Sequence, residues 1–208
     1  MNDTASNSPL FTSAHAALVF AFNFNMQQYD RPLMNRLAGK QAASSGLGLS
    51  GLDGAAQAGM IRRRVATLPV VYQSILVTRL APPQLVCECG APCCCGKQAN
   101  LEWQGALRIV ADYAEREALG NCTVNRPLTL ALLMRLFSLD ARHLSDIAKE
   151  VGVAPNTATN HNARLKGWLL GENGRGTGAA TPGRDALAME AAEYVLTEAG
   201  IVGQLQTA

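Results

Sequence analysis

The sequence predicts an all-α protein: a helical bundle that carries a short cysteine-rich, zinc-binding knuckle and a C-terminal helix-turn-helix. Three observations predict it. Apolar residues recur at spacings of three and four through most of the 208 residues, with no convincing run of strand alternation. Five cysteines crowd into residues 87–96. The stretch Leu144 to Leu169, LSDIAKEVGVAPNTATNHNARLKGWL, joins small residues, a glycine and a polar second helix.

A chain of this length buries a core without help from disulfides. The formal charge of +2 is too mild for wholesale coating of nucleic acid, so what matters is where charge sits. Between Arg126 and Trp168 stand Arg126, Arg135, Arg142, Lys149, Arg164 and Lys166 against Asp140, Asp146 and Glu150, a modestly basic region. The first twelve residues hold Asp3 and no Lys or Arg, and the apolar run Ala16 to Phe22 is seven residues long. That is neither a signal peptide nor a membrane span. The expectation is a cytoplasmic protein with no membrane partner, whose cysteines are thiols or metal ligands rather than disulfides.

In chain order, residues 1–12 are expected to form a disordered polar tail. A helical region follows over 13–82. Its first helix runs from Ser13, a candidate N-cap, to about Asn23. Its second spans Asp30 to Leu37, with Asp30 able to cap and Pro32 early in the first turn. Residues 39–54, rich in Gly and Ser, read as a mobile loop. Helices over Ala55 to Leu68 and Pro69 to Leu80 are separated at Pro69, because the residue before proline disfavours helical backbone angles; Pro82-Pro83 ends the second. Arg62-Arg63-Arg64 could touch phosphates or an acidic partner, although a run of three charges is commonly just a solvated face.

The knuckle, residues 83–98, contains two Cys-x-Cys-Gly units six residues apart, the second with Cys94 as its x. The repeat suggests two ligand pairs, and zinc takes four thiolates in a tetrahedron. Cys87, Cys89, Cys93 and Cys95 are the expected ligands, with a glycine after each pair to turn backbone N–H groups toward sulfur. Four ligands within nine residues is tighter than the usual finger. Three of these with Cys122 as the fourth, or Cys94 in place of a neighbour, are alternatives, and a redox-sensing disulfide is the rival chemistry. A closed four-thiolate site has no open position for water, so the zinc would be structural, a brace between two helices.

Residues 99–170 form a second helical region. Leu101 to Leu119 is amphipathic, with Trp103, Leu107, Val110 and Ala114 on one face. Pro127 to Leu139 is dense in Leu, Met and Phe, as in a helix buried on most sides. The pair over 143–169 then needs a small residue where its helices touch, and Ala148 supplies it; the turn needs positive φ, and Gly152 stands four positions on. Leu144, Ile147, Val151 and Val153 supply the apolar contacts, and Pro155 suits the first turn of the second helix. From there Asn156, Thr157, Thr159, Asn160, His161, Arg164 and Lys166 form a polar surface that can meet DNA: Asn pairs with adenine, the Thr methyl meets thymine, Arg grips guanine or phosphate.

Ile147-Ala148, Gly152-Val153, Thr157-Ala158-x-x-His161, Leu165 and Trp168-Leu169 resemble the DNA-binding helices of LuxR-type regulators and of sigma-factor region four, over about 26 residues. An aliphatic residue ordinarily follows the threonine in those families; here it is Ala158, and Phe137 or Leu133 would have to fill the space. The order of helical body, cysteine cluster and helix-turn-helix is similar in layout to phage late-gene antiterminators of the Q type, which implies promoter DNA and RNA polymerase as partners.

Residues 171–183 read as a flexible linker. The last helix, about Asp185 to Glu198 within 184–208, carries Leu187, Ala191, Tyr194 and Val195 on its apolar side and packs on the body or forms a dimer contact. The Gly-rich stretches lack the Lys-Ser or Lys-Thr ending of a phosphate loop, and no nucleophile, base and orienting group stand in a recognisable setting, so no enzyme is expected. The expectation is a sequence-specific transcription regulator of bacterial or phage type, with a homodimer or RNA polymerase completing the affinity of one half-site. The reading from a different class is a non-enzymatic adaptor between proteins, stiffened by the knuckle.

Overall fold

A computed structural model describes residues 10–24, 51–87, 89, 95–137, 139–172 and 181–203. Among these residues the protein is mainly α: eight helices and two short antiparallel strand pairs. The expected helix over Asp30 to Leu37, the loop over 39–50, the centre of the linker and Cys93 lie outside the described residues. No described helix is long and apolar enough to cross a membrane.

The chain divides into two compact units. The first comprises residues 1–68 and 191–208. In it, α1 (Ala14–Asn23) is capped by Ser13, whose hydroxyl accepts from the Ala16 N–H at 3.2 Å. Its neighbour α2 (Gly51–Val65) begins four residues earlier than expected, so the end of the Gly/Ser stretch is helical. Ala17, Leu18, Ala21, Ala58 and Ile61 are buried in this unit. Arg62 is engaged here: its Nε–H donates to the Ala21 carbonyl at 3.0 Å and its guanidinium lies 5.1 Å from the Phe22 ring centre. Of the arginine triplet, Arg63 and Arg64 are exposed.

The second unit, residues 69–190, begins with α3 (Val70–Leu80), and Pro69 stands at its start as the sequence requires. Two short strand pairs, which the sequence reading did not expect, are added to the helices. β1 (Gln84–Val86) pairs antiparallel with β2 (Lys97–Ala99), in the register Gln84 with Ala99 and Val86 with Lys97. Three-residue strands are too short to show alternation. The Cys87 N–H extends the ladder to the Gly96 carbonyl at 2.9 Å, so Cys87 continues the β-ribbon. Asn100 ties that ribbon to α4 (Leu101–Glu117): its Oδ1 accepts from Glu102 and Trp103 N–H, and its Nδ2 donates to the Pro82 carbonyl at 2.8 Å.

Packing of α3 on α4 is anchored by Trp103, whose indole N–H donates to the Thr78 carbonyl at 3.0 Å. The expected face of α4 is buried, with Ala106 and Ala111 added. Next, α5 (Arg126–Leu136) buries Leu128, Leu132 and Leu133 completely and packs against α4 and both following helices. At its start Arg126 reaches Asp112 at 2.7 Å and Glu115 at 2.8 Å. A second strand pair, β3 (Gly171–Glu172) with β4 (Thr181–Pro182), lies at the two ends of the expected flexible linker.

The final helix, α8 (Arg184–Glu198), buries Ala188, Ala192 and Leu196 rather than the expected Leu187, Ala191, Tyr194 and Val195. The true stripe has spacing four throughout and lies one residue round the helix; Tyr194 is 66% exposed. The large side chains suggested the wrong face because two of the three buried positions are alanines.

Candidate nucleic-acid interface

Two helices and a tight turn build the site. Helix α6 (Leu144–Val151) ends at Gly152, whose φ of 74° is left-handed. The Gly152 N–H reaches the Lys149 carbonyl at 3.3 Å and the Val153 N–H reaches Ala148 at 2.9 Å, the paired bonds that close a helix on a glycine. A side chain at position 152 would meet no neighbour, so the backbone angle alone demands glycine. After Ala154, α7 (Pro155–Leu170) starts with the expected proline in its first turn. Ile147 and Ala148 are fully buried, while Leu144, Val151 and Val153 are half-buried. Ala158 is fully buried, as is Leu133 on α5, which packs against α7.

Side chains on α7 sort by the turn of about 100° per residue. Ala158, His161, Leu165 and Leu169 point inward, each no more than 4% exposed. Asn156, Asn160 and Ala163 occupy the opposite, exposed face, with half-buried Gly167 in line. Thr159 and Lys166 flank that strip on one side, Thr157 and Arg164 on the other. Thr159 already uses its hydroxyl proton on the Pro155 carbonyl at 3.0 Å. Six of the seven expected contact residues therefore stand on the outer face or its edges.

His161 is the correction. It belongs to the buried stripe, at 4% exposure, and its Nδ1 has no hydrogen-bond partner. Burial, and then the charge of Arg164, push its pKa below the usual histidine value, so the ring is neutral at pH 7. It supports α7 from inside instead of joining the outward set.

The basic side chains also divide. Arg126 is committed to Asp112 and Glu115. Arg142 donates to Asp140 at 2.8 Å and pairs with Glu150, which braces the start and end of α6. The Arg142 side chain, then its backbone N–H, hold the Asp140 carboxyl down to a pKa of about 2. Among the described residues Arg135 and Lys149 have no ion-pair partner, and neither do Arg164 and Lys166 on α7. At its far end, Glu117 accepts from both the Trp168 indole and Arg184 at 2.8 Å, fixing α7 to the end of α4.

Sequence reasoning missed one feature beside α7. A cleft of about 470 Å³ is lined by Cys122, from the loop before α5, and by Thr157, Asn160, His161, Ala163 and Arg164. The helical spacing of Thr157, Asn160 and Arg164 was visible, but the arrival of Cys122 depends on how α4 and α5 pack.

At the β-ribbon, Cys87 is half-buried while Cys89 and Cys95 are exposed, and the Cys95 thiol donates to the Lys97 carbonyl at 3.4 Å. Gly96 has φ 72°, a turn that glycine permits directly after Cys95. Among the described residues no three potential ligands are gathered around one point; Cys93, the fourth expected ligand, lies outside them. Cys122 is placed at the α7 cleft. Set against family models and curated proteins, the chain matches none.

Proposed function

We propose that α6 and α7 form a DNA-reading helix-turn-helix, and that the protein is a sequence-specific transcription regulator of bacterial or phage type. The observation that carries this reading is the division of α7. Asn156 and Asn160 stand on an exposed strip continued by Ala163 and Gly167, opposite a stripe buried against the body. Two amides that can each pair with an adenine edge, followed by small residues that let the helix approach, suit a helix laid in the major groove. Arg164 and Lys166 on the flanks supply charge for the phosphates.

One such helix covers a half-site only, so a second copy or RNA polymerase completes the affinity; in the latter case the protein acts as an antiterminator. No catalytic role enters this reading. Selection from random duplexes at moderate salt is expected to enrich one motif, whose symmetry separates a dimer from a polymerase-assisted monomer. Recovery of unenriched DNA by protein alone and by protein with polymerase would instead favour the protein adaptor.

The β-ribbon, in the same proposal, holds a structural zinc ion through Cys87, Cys89, Cys93 and Cys95. A strand pair with Cys87 directly after one strand and Cys95 shortly before the other suits a closed thiolate site, which would stiffen the connection between α3 and α4. About one zinc per chain is expected after purification without added metal, with a lower melting temperature on chelation. Metal-free protein of undiminished stability would remove the zinc from the scheme.

A further inference from the structure

The cleft beside α7 shares Asn160 and Ala163 with the exposed strip and adds Cys122, Thr157, His161 and Arg164. Its floor includes His161, 4% exposed, whose Nδ1 is buried without a partner. Such an atom is unfavourable unless a ligand or water completes it. Thr157 and Asn160 offer a hydroxyl and an amide, Arg164 adds a guanidinium with no ion-pair partner among the described residues, and none of the six lining residues is acidic. Cys122 lines the same cleft from the loop before α5. Several donors, one full positive charge and no carboxylate describe a place for an anion rather than for a cation or an apolar ligand.

We infer that this cleft seats a backbone phosphate of the duplex, gripped by Arg164 and Thr157 on the flank of α7, with Cys122 in the same lining. The inference rests on the DNA-reading proposal and refines it. Arg164 becomes a positioning residue that sets how α7 lies in the groove, and it carries no sequence information. Base reading is left to the strip that begins at Asn156.

The test compares full-length wild type with Arg164→Ala and Arg164→Lys on the selected duplex and on a scrambled one, across a series of salt concentrations. Loss of one phosphate contact lowers the slope of log K against log salt by about 0.9, equivalent to roughly five- to tenfold in affinity near 0.1 M salt. Arg164→Ala is expected to show that loss equally on both duplexes, leaving their ratio unchanged, and Arg164→Lys to restore the slope. DNA should also slow alkylation of Cys122, followed by peptide mass. A changed ratio between duplexes would make Arg164 a base reader, and an unchanged slope with unprotected Cys122 would leave the cleft empty; either overturns the inference while the DNA-reading proposal stands. Failure of the wild type to bind any duplex would instead overturn both.

Discussion

Replacing Asn156 and Asn160 together by alanine is expected to abolish most of the preference for the selected duplex while leaving its weak, salt-dependent affinity for unrelated DNA. Both residues are exposed on the outer strip of α7 and neither contributes to the core, so the melting temperature should not move. A bidentate amide–adenine pair is worth about 1–3 kcal/mol of discrimination, so losing two removes roughly 30-fold to more than 1,000-fold. Competition between the selected and a scrambled duplex at fixed salt measures it. A double variant that still discriminates fully would mean that the outer strip does not face the bases.

The second large effect is on stability. Leu165 is fully buried, in the stripe that α7 turns toward the body, and Leu165→Ala leaves a cavity beneath α7. Truncations of this kind cost about 2–5 kcal/mol, a large part of the stability of an ordinary domain. The variant should melt many degrees below wild type and lose DNA binding as it does so. Leu170, five residues on and 46% exposed, provides the comparison: Leu170→Ala should fall within about 0.5 kcal/mol of wild type. Equal melting temperatures for the two variants would contradict the assignment of the buried face.

Local signals were read correctly where one residue type has one physical use. Gly152 takes left-handed backbone, Pro155 opens α7, and Ser13 caps α1, because backbone freedom, a missing N–H and a short hydroxyl act within a few residues of themselves. The face of α4 was legible because large apolar residues repeat along it. In α8 the same rule misled, since alanines at 188 and 192 make the closest approach and larger neighbours beside them do not.

His161 shows the same limit at the site. Its sequence neighbourhood is polar on every side, and only the helical phase relative to Ala158, Leu165 and Leu169 turns it inward. That phase is present in the spacing, since positions 158, 161, 165 and 169 follow one another at three and four residues. Pairing of Gln84–Val86 with Lys97–Ala99 carried no comparable signal, because a ribbon three residues deep is held by its flanks, through Asn100 and Pro82, more than by its own pattern.

By itself the sequence determined the mainly helical character, the places where most helices start and stop, and the turn between α6 and α7, since caps, prolines and glycines act through neighbouring backbone. Only the tertiary structure decided which basic side chains are consumed by carboxylates, that His161 is inside, and that Cys122 arrives beside Arg164. Those outcomes depend on residues tens of positions apart meeting in space, and no periodicity along a single helix encodes its neighbour.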